Sequence, residues 1–257
     1  MANSSIHAEA PARSHSPGKV REILESGEAS AFARYRALTF PAGSALKFWL
    51  FELATMFLLP LPGGLGIVLR RKLLRPFFGS MGRNVVIGRN CVFRNPHQIF
   101  IGDAVIIDEY ALLDARGTGP DGLRLGPGAL VSRGVQIKSK GGPISLGRGV
   151  TIGDGSTVIS QTGVFIGDGA AIAHACHIAG GTFAMTEFSK PAPERKTTST
   201  GPISIGAATW VATGVLILDG MSVGENAIVS AGSVVTRNVP DRCIVSGNPA
   251  KKVFEIR

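Results

Sequence analysis

Cysteine is scarce, with three residues in a chain of 257. Their spacing suggests no pairing pattern, so a disulfide framework is excluded and a reducing, cytoplasmic compartment is expected. Aromatic residues make up 7% of the chain, too few for a large aromatic core. Acidic side chains are outnumbered, 18 against 27 basic, for a net charge of +9. That balance favours anionic partners such as phosphates, nucleotides or anionic lipid. Nucleic acid is not an expected partner, because no binding module and no interleaving of aromatic with basic residues is present. A long uninterrupted apolar run is also missing. Residues 43–79 are strongly apolar, yet Lys47 and Glu52 interrupt their start and Pro60, Pro62, Gly63 and Gly64 break their middle. Neither flank reaches the roughly 18–20 apolar residues of a simple spanning helix. Residues 1–17 are polar and rich in Ser, Ala and Pro, which predicts a disordered leader and no signal peptide.

What is abundant is glycine, at 34 residues, and with it many turns. Val20, Ile23, Leu24, Phe32 and Tyr35 fall near helical spacing and predict an amphipathic helix over 18–40. The apolar stretch that follows ends on Arg70, Arg71, Lys72 and Arg75. Two short helices dipping into one membrane leaflet, with this basic cluster at the headgroups, fit that pattern. A true span and a soluble cap on the next domain are the competing readings. The region 18–82 is thus expected to be helical and apolar, membrane-proximal or capping, with 43–79 the segment for peripheral contact on the inner face of the membrane.

From about residue 83 the chain repeats. An aliphatic–glycine pair recurs as Ile87-Gly88, Ile101-Gly102, Leu125-Gly126, Leu146-Gly147, Ile152-Gly153, Ile166-Gly167, Ile205-Gly206 and Val223-Gly224. Between the pairs the sequence reads in sixes, as in Ile166–Ala171 followed by Ile172–His177. The first position is aliphatic and the fifth is small: Val105, Ala111, Ala129, Val135, Ser156, Ala170, Cys176, Val215, Ala227, Ser233. A helix would repeat at three and four, a simple strand at two. Six residues with two inward positions suit one flat side of a triangular prism, and three such units make a coil whose stacking buries the aliphatic positions. Two segments interrupt the repeat, 116–122 and the longer, polar 184–202. A loop of that length on a rigid scaffold is expected to carry function.

The region resembles the hexapeptide-repeat acyltransferases, and is similar to their polysaccharide-type O-acetyltransferases. That resemblance implies an all-β solenoid, a left-handed parallel β-helix over 83–240 preceded by the small α-helical region and followed by a tail at 241–257. Left-handedness comes from the resemblance and runs against the usual crossover rule.

Two histidines are the catalytic candidates. His174 and His177 occupy the third and sixth positions of one hexad, so both should point outward, and both precede the long loop. Acyl transfer needs a base for the acceptor's proton, a role suited to histidine. The string Ile172-Ala173-His174-Ala175-Cys176 resembles the I-[GA]-H-D-C stretch of the lipid A pathway acyltransferases and nucleotide-sugar N-acetyltransferases, whose His is the general base; Ala175 stands where they have Asp. The stretch Cys176–Phe183 resembles C-x-I-x-G-G-G-H of polysaccharide-type O-acetyltransferases, with Phe183 in place of their catalytic His. A metal site is not expected, since His97 joins no triad with the two histidines. Cys91 and Cys176 read as core, and Cys243 as a tail residue.

The C-terminal coils resemble the coenzyme A end of the family. Trp210-Val211-Ala212-Thr213-Gly214 matches W-[IL]-G-x-[GN], Val229–Pro240 matches the A-G-S-V-V-T segment, and Gly247-Asn248-Pro249-Ala250-Lys251 matches G-[NV]-P-A-K. The resemblance implies acetyl-CoA as co-substrate, held by Trp210, Gly214, Ser230, Gly232, Arg237, Asn248, Lys251 and Lys252. A backbone amide near Gly214 is the expected oxyanion donor. A homotrimer with sites shared between chains is implied, acting on a hydroxyl or amine of a saccharide or small-molecule acceptor. The rival reading is a catalytically degenerate trimeric scaffold or ligand-binding protein, favoured by Phe183 and Ala175.

Overall fold

The computed structural model describes residues 13–14, 30–40, 44–184 and 186–256. Most of the expected leader and the first part of the expected helix 18–40 lie outside the described residues. Within the leader, Arg13–Ser14 pairs antiparallel with Thr198–Ser199. Three helices follow: α1 (Ala31–Thr39), α2 (Ala45–Leu58) and α3 (Gly63–Leu74). Ser30 and Ser44 start α1 and α2 by accepting backbone N–H groups of Ala33 and Lys47, each at 3.2 Å.

The rest is a parallel left-handed β-helix of about seven coils. Each coil places one short strand on each of three faces. In the fifth coil these are Val164–Ile166, Ala171–Ile172 and His177–Ala179 on the first, second and third faces. Like strands of successive coils pair in register, so Thr157 faces His177 and His177 faces Leu216. The aliphatic first positions Ile87, Ile107, Val131, Ile152, Ile172, Val211 and Val229 stack in one buried column of the second face. Each such side chain contributes about 1.5–3 kcal/mol on burial.

The expected hexad is explained by the corners. Turns between the first and second faces centre on a residue with left-handed φ, such as Asn84, Gly128, Gly169 and Asn226. The second hexad position faces the backbone of the next coil. A Cβ on Gly167 would lie 2.6 Å from the Ala207 nitrogen, and one on Gly206 would lie 2.5 Å from the Glu225 nitrogen. The six-residue signature thus reports one close approach and one turn per side.

Strand pairing extends slightly beyond 83–240. Ser80–Met81 pairs with Phe100–Ile101, and Cys243–Ser246 pairs through Ile244–Val245 with Ile228–Val229. Cys243 is accordingly buried in the solenoid rather than lying in a tail. Lys251–Glu255 then folds back antiparallel on Cys243–Ser246.

The helices close the N-terminal end of the prism. Phe40, Phe48, Phe51, Leu74 and Phe77 continue the core below the first coil. The open edge of that coil is satisfied by the cap: Asn90 N–H donates to the Leu59 carbonyl (2.9 Å) and Asn95 N–H to the Thr39 carbonyl (2.8 Å). Arg70 departs from the expected headgroup cluster. It is 2% exposed and donates to the carbonyls of Ile87 (2.7 Å), Leu58 (3.1 Å) and Leu61 (2.6 Å). Among the described residues no helix is long and apolar enough to cross a membrane.

Candidate active site

His174 stands on the corner between the second and third faces, in the turn 173–176 of the fifth coil. Ala175 takes the φ of +53° that closes this turn, which throws His174 outward. Ser156, buried beneath it in the fourth coil, braces both sides: its hydroxyl accepts Cys176 N–H (3.0 Å) and donates to the Ala173 carbonyl (2.9 Å). Sequence reasoning saw Ser156 only as a small inward residue, because its two bonds span about one coil. Cys176 points inward, donating to the Ala212 carbonyl at 3.1 Å. Burial raises its thiol pKa and pushes that of Cys91 up to about 12, so neither is a nucleophile at neutral pH.

The His174 imidazole is exposed. Its Nδ1 accepts the Asp154 N–H at 3.2 Å, and Asp154 Oδ2 lies 3.9 Å away. An Nδ1 that accepts an N–H carries no proton, so Nε2 is the protonated nitrogen in this arrangement. A base acting through Nε2 needs the other tautomer, with Nδ1–H directed at a carboxylate. Asp154 supplies that carboxylate, one coil away. The same edge continues as a charge ladder: Glu109 lies between Arg89 (3.0 Å) and Arg133 (3.3 Å), so the corner residues alternate Arg89, Glu109, Arg133, Asp154, His174.

The predicted cofactor residues mostly gather further along this edge. Gly214 (φ +71°) and Gly232 (φ +67°) close the equivalent turns of the sixth and seventh coils. Gly214 N–H donates to the His174 carbonyl (3.0 Å), and Gly232 N–H to the Thr213 carbonyl (2.9 Å). The Gly214 amide itself is therefore engaged within the solenoid. Ser230 lies in the same turn as Gly232, and Trp210 is exposed on the second face of the sixth coil. The turn 247–250 caps the edge: Gly247 N–H donates to Ser233 Oγ (3.1 Å) and Ala250 N–H to the Val234 carbonyl (2.8 Å). Asn248 is thus carried on the last turn, and Lys251 and Lys252 open the final strand. Lys252 Nζ is bound to Glu255 Oε2 at 2.6 Å. That bond holds the lysine's pKa up and the carboxylate's down. Arg237 is not part of this group. It follows Val234–Val235 on the edge between the third and first faces.

His177 is exposed on the third face. The long loop leaves from the edge between the third and first faces, as does the short one at 116–122. Thr182–Phe183 and Thr197–Ser199 form an antiparallel stem, with Phe183 exposed. Asp219 of the sixth coil anchors its base, accepting from Gly181 N–H (2.6 Å), Ser199 Oγ (2.8 Å), Thr200 N–H (2.6 Å) and Thr200 Oγ1 (3.0 Å). Sequence reading missed Asp219, whose partners lie 19 and more residues away. Within one chain, His174 and the loop stem therefore occupy different edges. Among the described residues no group of three His, Cys, Asp or Glu is placed to hold a metal.

No protein-family model matches the chain. A Staphylococcus aureus protein that carries an acetyltransferase name is 45% identical over 56 residues, 22% of this chain and 28% of that protein. A Saccharomyces cerevisiae protein with such a name is 40% identical over 55 residues, 21% of this chain and 28% of that protein. The match thus spans little more than a quarter of the length of these relatives. Among solved structures, variants of AntD, an N-acyltransferase from Bacillus cereus, superpose with TM-scores of 0.53 and 0.52 at 20% and 19% identity, over 73% of this chain and 89% of theirs. One was solved with dTDP and coenzyme A, the other with dTDP-4-amino-4,6-dideoxyglucose and coenzyme A. The chain has the hexapeptide-repeat left-handed β-helix fold, and in that repeat and fold it is similar to the acyltransferases of the hexapeptide class.

Proposed function

We propose that this protein moves an acetyl or other short acyl group from acyl-CoA to a hydroxyl or amine of a saccharide-like acceptor. One observation carries the reading. A single edge aligns His174 with Gly214, Ser230, Gly232 and the turn 247–250 that opens into Lys251 and Lys252. Coenzyme A would lie along this edge, its pantetheine arm against the small turn residues and its phosphates at the lysines. His174 would take the acceptor's proton through Nε2, after its ring turns Nδ1–H onto Asp154. The acceptor oxygen or nitrogen then bonds to the thioester carbon and the C–S bond breaks. The CoA thiolate leaves and takes the proton back from the imidazolium.

The separation of His174 from the loop supports a homotrimer. Prisms packed side by side bring the His174 edge of one chain against the loop-bearing edge of the next, which completes an acceptor pocket. Both AntD structures contain coenzyme A and one contains a nucleotide sugar, which supports the donor and acceptor classes.

A second reading, a trimeric ligand-binding scaffold, is favoured by Phe183 and Ala175 and by the His174 Nδ1 accepting the Asp154 N–H rather than donating to its carboxylate. Calorimetry with acetyl-CoA comes first. Wild type and His174→Ala are expected to bind alike, and Lys251→Ala/Lys252→Ala to bind weakly. Thiol release with saccharide acceptors then separates the readings. A fall of about 10²–10⁴-fold in His174→Ala marks the base. Binding without turnover sinks the enzyme, and no binding by wild type sinks the coenzyme A edge.

A further inference from the structure

The outer face of the cap is apolar where a soluble helix is ordinarily polar. On α2, Leu46, Trp49, Leu50, Leu53, Met56 and Phe57 fall at i, i+3, i+4, i+7, i+10 and i+11, one continuous stripe. Each is between 49% and 68% exposed. The opposite face, through Phe48, Phe51 and Leu58, already fills the core, so the stripe is not a misplaced core face. On α3, Leu65, Val68 and Leu73 are exposed as well. Isolated exposed apolar residues are ordinary, whereas a contiguous patch of this kind marks an interaction surface.

Charge identifies the occupant. Lys72 follows Leu65 and Val68 on the same side of α3, at i+7 and i+4. With Arg71, Arg75 and Arg83 it lines a cavity of about 610 Å³. The one carboxylate in its lining, Asp103, is bonded to Arg83 (2.6 Å from its N–H, 3.3 Å from its guanidinium). Arg83 holds the pKa of that carboxylate below the usual range. Three cations at the end of α3 thus border the apolar stripe with no carboxylate of their own in the cavity. Apolar side chains flanked by basic ones, with a tryptophan among them, match the depth profile of an anionic bilayer surface.

We propose that the outer face of α2 and α3 docks on an anionic phospholipid bilayer, with the apolar stripe in the interface and Arg71, Lys72 and Arg75 at the lipid phosphates. The helices have 14 and 12 residues, which suits lying in the interface and not spanning it. Arg70 ties α3 to the first coil, so the cap docks as a rigid part of the prism. His174 lies four coils from the first, about 19 Å along the prism axis at about 4.8 Å per coil. The docking itself stands independently of the transferase reading.

The test is co-sedimentation of the full chain with vesicles of pure phosphatidylcholine and of phosphatidylcholine containing one quarter phosphatidylglycerol. Wild type is expected to associate with the anionic vesicles and much less with the neutral ones. Leu50→Gln/Phe57→Gln, both exposed positions, should weaken association at least tenfold on either vesicle. Lys72→Gln/Arg75→Gln should reduce the preference for phosphatidylglycerol, a loss of roughly 30-fold for two charges. Unchanged melting temperatures show that both variants fold. No association by wild type overturns the proposal. So does a change of oligomeric state in Leu50→Gln/Phe57→Gln on analytical ultracentrifugation, because the stripe is then a contact between copies of the chain.

Discussion

Arg70→Met should loosen the cap while leaving the coils folded. Arg70 makes three bonds to main-chain carbonyls, and a hydrogen bond to a charged group contributes about 1.5–3 kcal/mol. The sum of about 4.5–9 kcal/mol is offset by the guanidinium's own desolvation, which disappears with the charge. That desolvation also lowers the Arg70 pKa. A net cost of about 3–5 kcal/mol remains. Methionine keeps much of the apolar stem, so the loss reports the lost bonds more than lost packing. The chain has two tryptophans, Trp49 in α2 and Trp210 in the sixth coil. In a Trp210→Phe background, urea unfolding followed by fluorescence reads the cap through Trp49. Circular dichroism reads the solenoid, whose coils contact only their neighbours and need not melt with the cap. The fluorescence transition should move to lower urea by the equivalent of about 3–5 kcal/mol. Arg71→Met, one residue on, should cost no more than about 0.5 kcal/mol. Equal effects from the two variants would refute the view that Arg70 pins α3 to the first coil.

Two further outcomes are expected. Gly167→Ala should be far more destabilising than Gly169→Ala: a Cβ at 167 meets the Ala207 backbone nitrogen at 2.6 Å, whereas at 169 it meets open space at φ +67°. The second variant should cost about 1–2 kcal/mol of left-handed strain, the first more than that, and thermal melts that rank them the other way would contradict the close-approach account. His97 is half-buried, its Nδ1 has no partner, and burial followed by the charge of Lys47 pushes its pKa below the ordinary value. The unfolded chain then binds the extra proton between that lowered pKa and about 6.5, so stability falls as pH drops below about 6.5. His97→Leu should flatten the melting temperature between about pH 7 and about pH 5, and an unchanged slope would rule His97 out as its source.

The hexad was legible because its causes are local. The aliphatic first position and small fifth position follow from one inward-pointing side chain at each, and both recur within six residues. The third cysteine was misread because Cys243 follows a break in the repeat, at Val239 and Pro240, that hides one more strand. Arg70 was misread because a run of basic residues gives no sign of which member turns inward. That depends on the carbonyls of Leu58, Leu61 and Ile87, which come from α2, the turn after it and the first coil. Ser156 and Asp219 escaped for the same reason: their partners are near in space and one coil or more apart in sequence. The sequence placed His174 and His177 outward but could not say that Arg237 belongs to a different edge, since the register of a corner depends on every insertion before it.

The second hexad position distinguishes the edges of the prism, and it does so in the sequence. Between the first and second faces it is glycine in every one of the seven coils: Gly82, Gly102, Gly126, Gly147, Gly167, Gly206 and Gly224. Between the second and third faces the same position reads Gly88, Asp108, Ser132, Gly153, Ala173, Ala212 and Ser230. A Cβ at each glycine of the first set would press on the next coil, as at Gly126, 2.5 Å from the Gly147 carbonyl carbon. That edge therefore admits no side chain without moving its neighbour. The other edge accepts Asp, Ser or Ala at five of its seven second positions, although a Cβ at Gly88 would still meet the Glu109 nitrogen at 2.5 Å, and at its third positions it carries the charge ladder and His174. Glycine at every second position marks the edge whose coils approach most uniformly, and its loss at most turns of the adjoining edge marks the one that carries His174.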